Sequence, residues 1–252
     1  MTITPQALEA ATRQLVQARA SGQRIAPFDA AIAPTTLADA HAIQDATVAR
    51  LEERVGGWKV AAPVGGQLAR GVILGSRLLA SPARLPSSLV PLLAVEAEIA
   101  FRFDRGLPAR AAAYSPAEVA DAATAVAAIE VVDSRFADYG AAPLLDRIAD
   151  CVSNGAFVVG ETPADWRAHD LSKLEVTLCI DGKEIVRSVG GHPTGDPMLR
   201  TVELVNLLRS AGGIRPGQVV TTGTYTGLNR AGPGQTVTVD FIGFGKAEVA
   251  FS

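Results

Sequence analysis

The stretch Ala94-Val-Glu-Ala-Glu-Ile-Ala-Phe-Arg-Phe103 decides how this chain is read. Alternation along it places Val95, Ala97, Ile99, Phe101 and Phe103 on one face, with Glu96 and Glu98 on the other. That pattern predicts a strand with one face in the core. The two carboxylates stand one strand repeat apart, roughly 7 Å by strand rise, and repel each other wherever water is excluded. A bound divalent cation relieves the repulsion, and the strand is then the floor of a metal site. On spacing alone, a solvated acidic face is the commoner outcome.

A second acidic strand extends the pattern. Glu130 lies in Ala128-Ile-Glu-Val-Val-Asp133, among apolar neighbours where an unpaired acid is costly. The three histidines are isolated, and the two cysteines, Cys151 and Cys179, sit inside apolar runs. This disfavours zinc and suits free thiols in a reducing compartment. Carboxylate ligands select a hard cation, Mg²⁺ or Mn²⁺.

Around these strands the sequence predicts an α+β molecule. Thr4-Pro5 caps a helix that runs to about Ala20 and stops at Gly22. Thr36 and Asp39 form a capping box for a second helix, read as far as Gly56-Gly57. Trp58 to Ala61 is a short strand, and residues 63–91 read as loops and short strands, with a boundary near Ser81. Ser115 and Glu118 box a helix to about Ala125. Ile148 to Gly160 holds a turn and a strand around Ser153-Asn154-Gly155. Two strands meet across Asp181-Gly182, and Asp196-Pro197 opens a helix closed by Gly212-Gly213. Strands at 219–222, 236–242 and 246–251 finish the chain. Residues 1–80 are the expected N-terminal α+β region, and 81–252 the metal-binding catalytic domain.

Composition bounds the partners. Apolar residues make up 48% of the 252-residue chain, enough for a sizeable core. A net charge of -3, with no Lys/Arg cluster, argues against nucleic acid. No apolar run reaches the roughly 18 residues that span a bilayer, and the start lacks the features of a signal peptide. The expectation is a soluble cytoplasmic protein without a membrane partner. There is no Gly-x-Gly-x-x-Gly after a strand and no Walker lysine.

Taken in order, these segments resemble the fumarylacetoacetate hydrolase superfamily. Val95 to Phe101 and Ala128 to Arg135 carry the resemblance. Gly57-Trp-Lys-Val60, Ile148 to Gly155, Gly195-Asp-Pro197 and Val219-Val-Thr-Thr-Gly-Thr224 support it. It is closest to the branch of 2-oxopent-4-enoate hydratases and 4-oxalocrotonate decarboxylases, because Glu130 stands where the hydrolases usually have aspartate. The resemblance implies a strand-rich mixed-sheet roll with peripheral helices and a small helical N-terminal region. It implies Mg²⁺ or Mn²⁺ held by Glu96, Glu98 and Glu130, a small 2-oxo acid as substrate, and a homo-oligomer. It places Lys59 in the active site, where burial would lower its pKa for acid/base work. Asp150 is the second catalytic candidate, and Ser153 lines the pocket. Thr222, Gly223 and Thr224 are a candidate carboxylate cradle, and Arg135 a candidate bidentate partner for a substrate carboxylate. The plain alternatives are a snorkelling surface lysine, turn chemistry for Asp150 and Ser153, and an ordinary strand end.

Three departures stand out. The Pro-Asp-x-Gly-like segment usual in such hydratases is replaced by Gly71-Val-Ile-Leu-Gly-Ser76, which has no acid. The Trp-Leu-Ala-Asn pattern of the late helix has become Val202-Glu-Leu-Val-Asn206, and Cys151 stands where asparagine is frequent. The expected activity is hydration of 2-hydroxypenta-2,4-dienoate-type acids in the catabolism of aromatic compounds. A metal-dependent decarboxylase or acylpyruvate-type C–C hydrolase is the first alternative, and a non-enzymatic binding protein the second.

Overall fold

The structure is a computed structural model that describes residues 2–252. It has five α-helices: α1 (Pro5–Ser21), α2 (Leu37–Arg50), α3 (Pro116–Ala122), α4 (Leu144–Ala149) and α5 (Pro197–Leu208). The strands are β1 (Val55–Val64), β2 (Gln67–Leu74), β3 (Leu78–Ala80), β4 (Ala83–Leu85), β5 (Ala94–Phe103), β6 (Ala123–Val132) and β7 (Asn154–Val159). They continue with β8 (Glu175–Ile180), β9 (Lys183–Val189), β10 (Val219–Thr224), β11 (Asn229–Arg230), β12 (Thr236–Phe241) and β13 (Gly245–Phe251).

The strands form two mixed sheets. One runs β2-β1-β10-β5-β6-β7-β3, with the short β11 also on β5; the other runs β4-β13-β12-β8-β9. The pairs β1/β10, β3/β7 and β4/β13 are parallel and the rest antiparallel. The main core lies between the sheets. Val95, Ala97, Ile99, Phe101 and Phe103 of β5 face Leu178, Val239, Val249 and Phe251 there, all buried. Alternation along β5 dictates the other face, which carries Glu96 and Glu98 away from that core. A second apolar cluster joins α1, α2 and α4 through Leu15, Ile43 and Ile148. This is the expected α+β roll with helices at its periphery.

Capping sets the N-terminal helices. The Thr4 hydroxyl accepts from the Ala7 amide at 3.2 Å, and Gly22 closes α1 in the left-handed region, at φ 72°. Thr36 and Asp39 complete their box. Asp39 also accepts from the Thr2 and Ile3 amides, at 2.7 and 2.9 Å, and ties down the start of the chain.

Three expectations change. The second helix ends at Arg50, and β1 begins at Val55, three residues before the expected start at Trp58. Residues 67–74 are a full strand rather than loop; Gly65 and Gly66, at φ 55° and 77°, turn the chain back onto β1. The glycines at 65, 66, 71 and 75 masked its alternation. The third helix stops at Ala122, because Ala123–Val132 pairs with β5 along ten residues. An Ala-rich segment favours helix locally, and tertiary pairing overrides it. The boundary expected at 80/81 falls between β3 and β4. Strands from both sides share the larger sheet, since β1 hydrogen-bonds to β10.

Candidate metal centre

Register assembles the acidic site. Glu96 on β5 stands directly opposite Glu130 on β6, and Glu98 lies one repeat along the same face. Each of the three offers a carboxylate oxygen within 4.8 Å of the others. Glu98 and Glu130 are buried, and Glu96 is partly so.

Lys59 reaches this cluster from β1, with β10 and β5 lying between it and β6. In a flat sheet three strand spacings amount to roughly 14 Å, beyond a four-carbon stem. Curling of the sheet closes that gap, and the buried Lys59 ammonium donates to Glu130 Oε1. It also donates to the Val152 carbonyl at 3.1 Å. Asn154 Nδ2 gives Glu130 Oε1 a further bond at 3.0 Å, while Glu130 Oε2 is buried without a partner. Thr221 on β10 donates its hydroxyl to Glu98 Oε2. No protein hydrogen bond or ion pair reaches Glu96 among the described residues.

Burial and then the neighbouring carboxylates push Glu98 well above the usual range, and lift Glu96 to about 7. Burial pulls the Lys59 ammonium the other way, but Glu130, Glu96 and Glu98 outweigh it and raise its pKa. The lowered amine pKa expected from burial is therefore reversed: three facing carboxylates keep Lys59 charged. Three glutamates and one lysine sum to -2. A divalent cation would neutralise the set and engage the partnerless Glu130 oxygen. The donors are all oxygen and suit a hard cation, so the cluster could hold a divalent metal.

Val152, which holds Lys59, sits in a strained turn. Cys151, Val152 and Ser153 all take the left-handed conformation, at φ 56°, 53° and 55°. Each such non-glycine residue costs roughly 1–2 kcal/mol, and a β-branched one is a real outlier. The turn leaves the Val152 carbonyl free for Lys59 and brings Asn154 to Glu130. Gly71, the register partner of Lys59, has no room for a side chain: a Cβ there would lie 2.6 Å from the Cys151 carbonyl and 2.8 Å from the Lys59 stem.

The other candidates divide. The cavity over the acidic cluster holds about 220 Å³ and is partly open to solvent; Lys59, the three glutamates, Gly223 and Thr224 all line it. Gly223, at φ 132°, holds a conformation that suits glycine. Thr222 points elsewhere: its hydroxyl meets His192 Nε2 at 3.1 Å. Thr221 takes the place expected of it, because alternation turns it away from the core residue Val220, and the register shift between Thr221 and Thr224 brings Thr224 to the same side. Burial lowers the His192 pKa, so the imidazole is neutral and its role is this hydrogen bond.

Asp150 and Arg135 do not line the acidic cavity. They pair with each other, Arg135 Nε to Asp150 Oδ1 at 2.6 Å, and Arg19 adds a second contact to Asp150 at 3.0 Å. The Arg135 fork is further occupied by the Asn154 carbonyl at 3.1 Å, which removes it as a bidentate substrate partner. Ser153 is buried, with an unpartnered hydroxyl. Sequence reasoning missed Thr221, Asn154 and Tyr139, which also lines the cavity. Only the Asn154 signal was within reach, as the polar residue next to Ser153.

A carboxylate cluster that could hold a divalent metal, on a curled mixed sheet, is thus what fold and site define. The sequence model of the Fumarylacetoacetate (FAA) hydrolase C-terminal family matches residues 41–251, and the chain belongs to that family. It is 32% identical over 257 residues to the 2-keto-4-pentenoate hydratase of Paraburkholderia phymatum, covering 97% of each chain. It is 30% identical over 262 residues to that of Paraburkholderia xenovorans, covering 99% of this chain and 96% of the relative. The solved 4-oxalocrotonate decarboxylase of Pseudomonas putida G7, complexed with magnesium and adipate, superposes with a TM-score of 0.86. It is 22% identical and fully covered in both chains.

Proposed function

We propose that this chain is a divalent-metal-dependent hydro-lyase that hydrates 2-oxopent-4-enoate, supplied as its 2-hydroxypenta-2,4-dienoate tautomer. The observation that carries the reading is the convergence of Glu96, Glu98 and Glu130 with the charged Lys59 in one cavity. Full-length likeness to two hydratases supports the substrate class.

Glu96, Glu98 and Glu130 would hold Mg²⁺. The ion would supply a Lewis acid that stabilises negative charge on the 2-oxo group. Thr221 and Asn154 fix the Glu98 and Glu130 carboxylates. Lys59 holds a proton at Nζ and is the only ammonium lining the cavity among the described residues, so it attracts the acid substrate and acts as proton donor. Gly223 and Thr224 line the cavity, where the Gly223 backbone would orient a carboxylate. Asp150, Arg135 and Ser153 act from behind the site: the Asp150–Arg135 pair braces the turn that presents Val152 to Lys59. The protein is proposed to be cytoplasmic and homo-oligomeric; light scattering on purified protein checks the second point. No helix among the described residues is long and apolar enough to cross a membrane.

The absence of an acid from Gly71–Ser76 favours a second reading, decarboxylation of a 2-oxo diacid, which uses the same electron sink and adds no water; acylpyruvate cleavage shares the sink but consumes water. Ultraviolet absorbance of 2-hydroxypenta-2,4-dienoate, followed with and without Mg²⁺ and with product identification, separates them. Formation of 4-hydroxy-2-oxopentanoate is expected. Pyruvate release from an acylpyruvate, or CO₂ from 4-oxalocrotonate, with an inert dienoate, would shift the assignment. No turnover of any of these acids with metal would sink the enzymatic reading.

A further inference from the structure

A second cavity, about 190 Å³ and partly open to solvent, shares no lining residue with the acidic one. It lies between the C-terminal end of α1 and the segments after β2 and β6. Four arginines line it: Arg19, Arg24, Arg77 and Arg135. Arg24 pairs with Asp133 at 2.6 Å, while Arg19 and Arg135 share Asp150 behind the wall. The remaining acid of the lining, Glu53, is turned to the Ser76 amide and hydroxyl. Arg77 has no hydrogen bond and no ion pair among the described residues, and Arg19 Nε is buried without a partner. Four guanidiniums face Asp133, Asp150 and Glu53, so the cavity carries an uncompensated positive charge. Burial, and then Arg19 and Arg135, lower the Arg77 pKa, as expected for a cation facing like charges.

A half-buried guanidinium beside other guanidiniums is costly without a counter-anion. Its planar fork matches the oxygens of a carboxylate or phosphate. A helix C-terminus takes up part of this charge, because its carbonyls favour a nearby cation; Arg19, in the last turn of α1, is placed for that role. Arg77 lies on a different segment and is left for a ligand.

We propose that this arginine-lined cavity is a second binding site, specific for a small oxyanion and separate from the acidic centre. Carboxylate and phosphate share the required chemistry, and the test distinguishes them.

Magnesium-loaded protein is titrated calorimetrically with inorganic phosphate and, in a second arm, with succinate. Saturable binding of at least one is expected. It should weaken roughly ten-fold or more in Arg77→Gln, the loss of one charge-assisted pair, and stay within about two-fold in Glu98→Gln. The arm that saturates names the ligand class. Ser88→Glu, an exposed change on the rim, places a tethered carboxylate beside Arg77 and should abolish binding; it decides the matter if Arg77→Gln loses its circular dichroism. Absence of saturable binding in both arms overturns the proposal. So does binding that survives both rim and arginine variants, or that is lost in Glu98→Gln while Arg77→Gln retains it.

Discussion

At the scale of single residues, the acidic centre depends on which threonine faces it. Thr221 bonds Glu98 and Thr222 bonds His192. Removing a partner that orients a metal ligand typically costs ten- to hundred-fold in affinity. Thr221→Val should therefore weaken Mg²⁺ binding by about that factor, whereas Thr222→Val should leave it within about two-fold; calorimetric titration with Mg²⁺ reads both. Lys59→Met should lower kcat about 10²- to 10⁴-fold without weakening Mg²⁺ binding, because the substitution removes a cation that competes for the same carboxylates. Weaker Mg²⁺ binding in that variant would show that Lys59 orders the cluster rather than balancing its charge. Much of this was legible in the sequence. Alternation alone put Glu96 and Glu98 on one face, and the apolar setting of Glu130 marked it as a partner. The register shift in β10 that brings Thr224 to the same side as Thr221 was not legible, because pairing with β5 sets it. Asp150 and Arg135 were misplaced for a related reason. Their polar character signals burial with a partner, and nothing local says that they are each other's partner.

At the scale of elements, the β1–β2 hairpin and the left-handed turn at Cys151–Ser153 together fix the position of Lys59. Gly71→Ala places a methyl group against the Cys151 carbonyl and the Lys59 stem. Overpacking of this kind costs about 1–3 kcal/mol. The variant should unfold at lower urea and lose kcat, with Mg²⁺ affinity unchanged; an unaltered kcat would mean that the hairpin tolerates the displacement. The hairpin was the element least visible beforehand, since its glycines read as loop while their contacts make them necessary. The helices were legible through their caps, and only their ends moved.

At the scale of the whole molecule, stability against acid should involve the packing of α2 on β2. His41 Nε2 accepts the Arg70 amide at 3.1 Å. Burial, and then the Arg70 charge, lower its pKa to about 4 from 6.5. The folded state thus prefers neutral His41. That preference is fully present above pH 6.5 and is lost as pH falls toward 4. The effect is up to about 3 kcal/mol at one pKa unit per 1.4 kcal/mol. His41→Gln should flatten the fall in melting temperature between those limits; an unchanged slope would assign acid unfolding elsewhere.

The order of the larger sheet bears on how the chain emerges from the ribosome. Lys59, Glu96, Glu98 and Glu130 are all made early, yet the strand between β1 and β5 is β10, residues 219–224. Until that late segment arrives, the β1–β2 hairpin cannot join the acidic strands, and β5 has an open edge facing outward. Lys59 and the three carboxylates therefore become neighbours only when more than four-fifths of the chain has been made. Nascent chains halted before residue 219 should be inactive and prone to pair through β5.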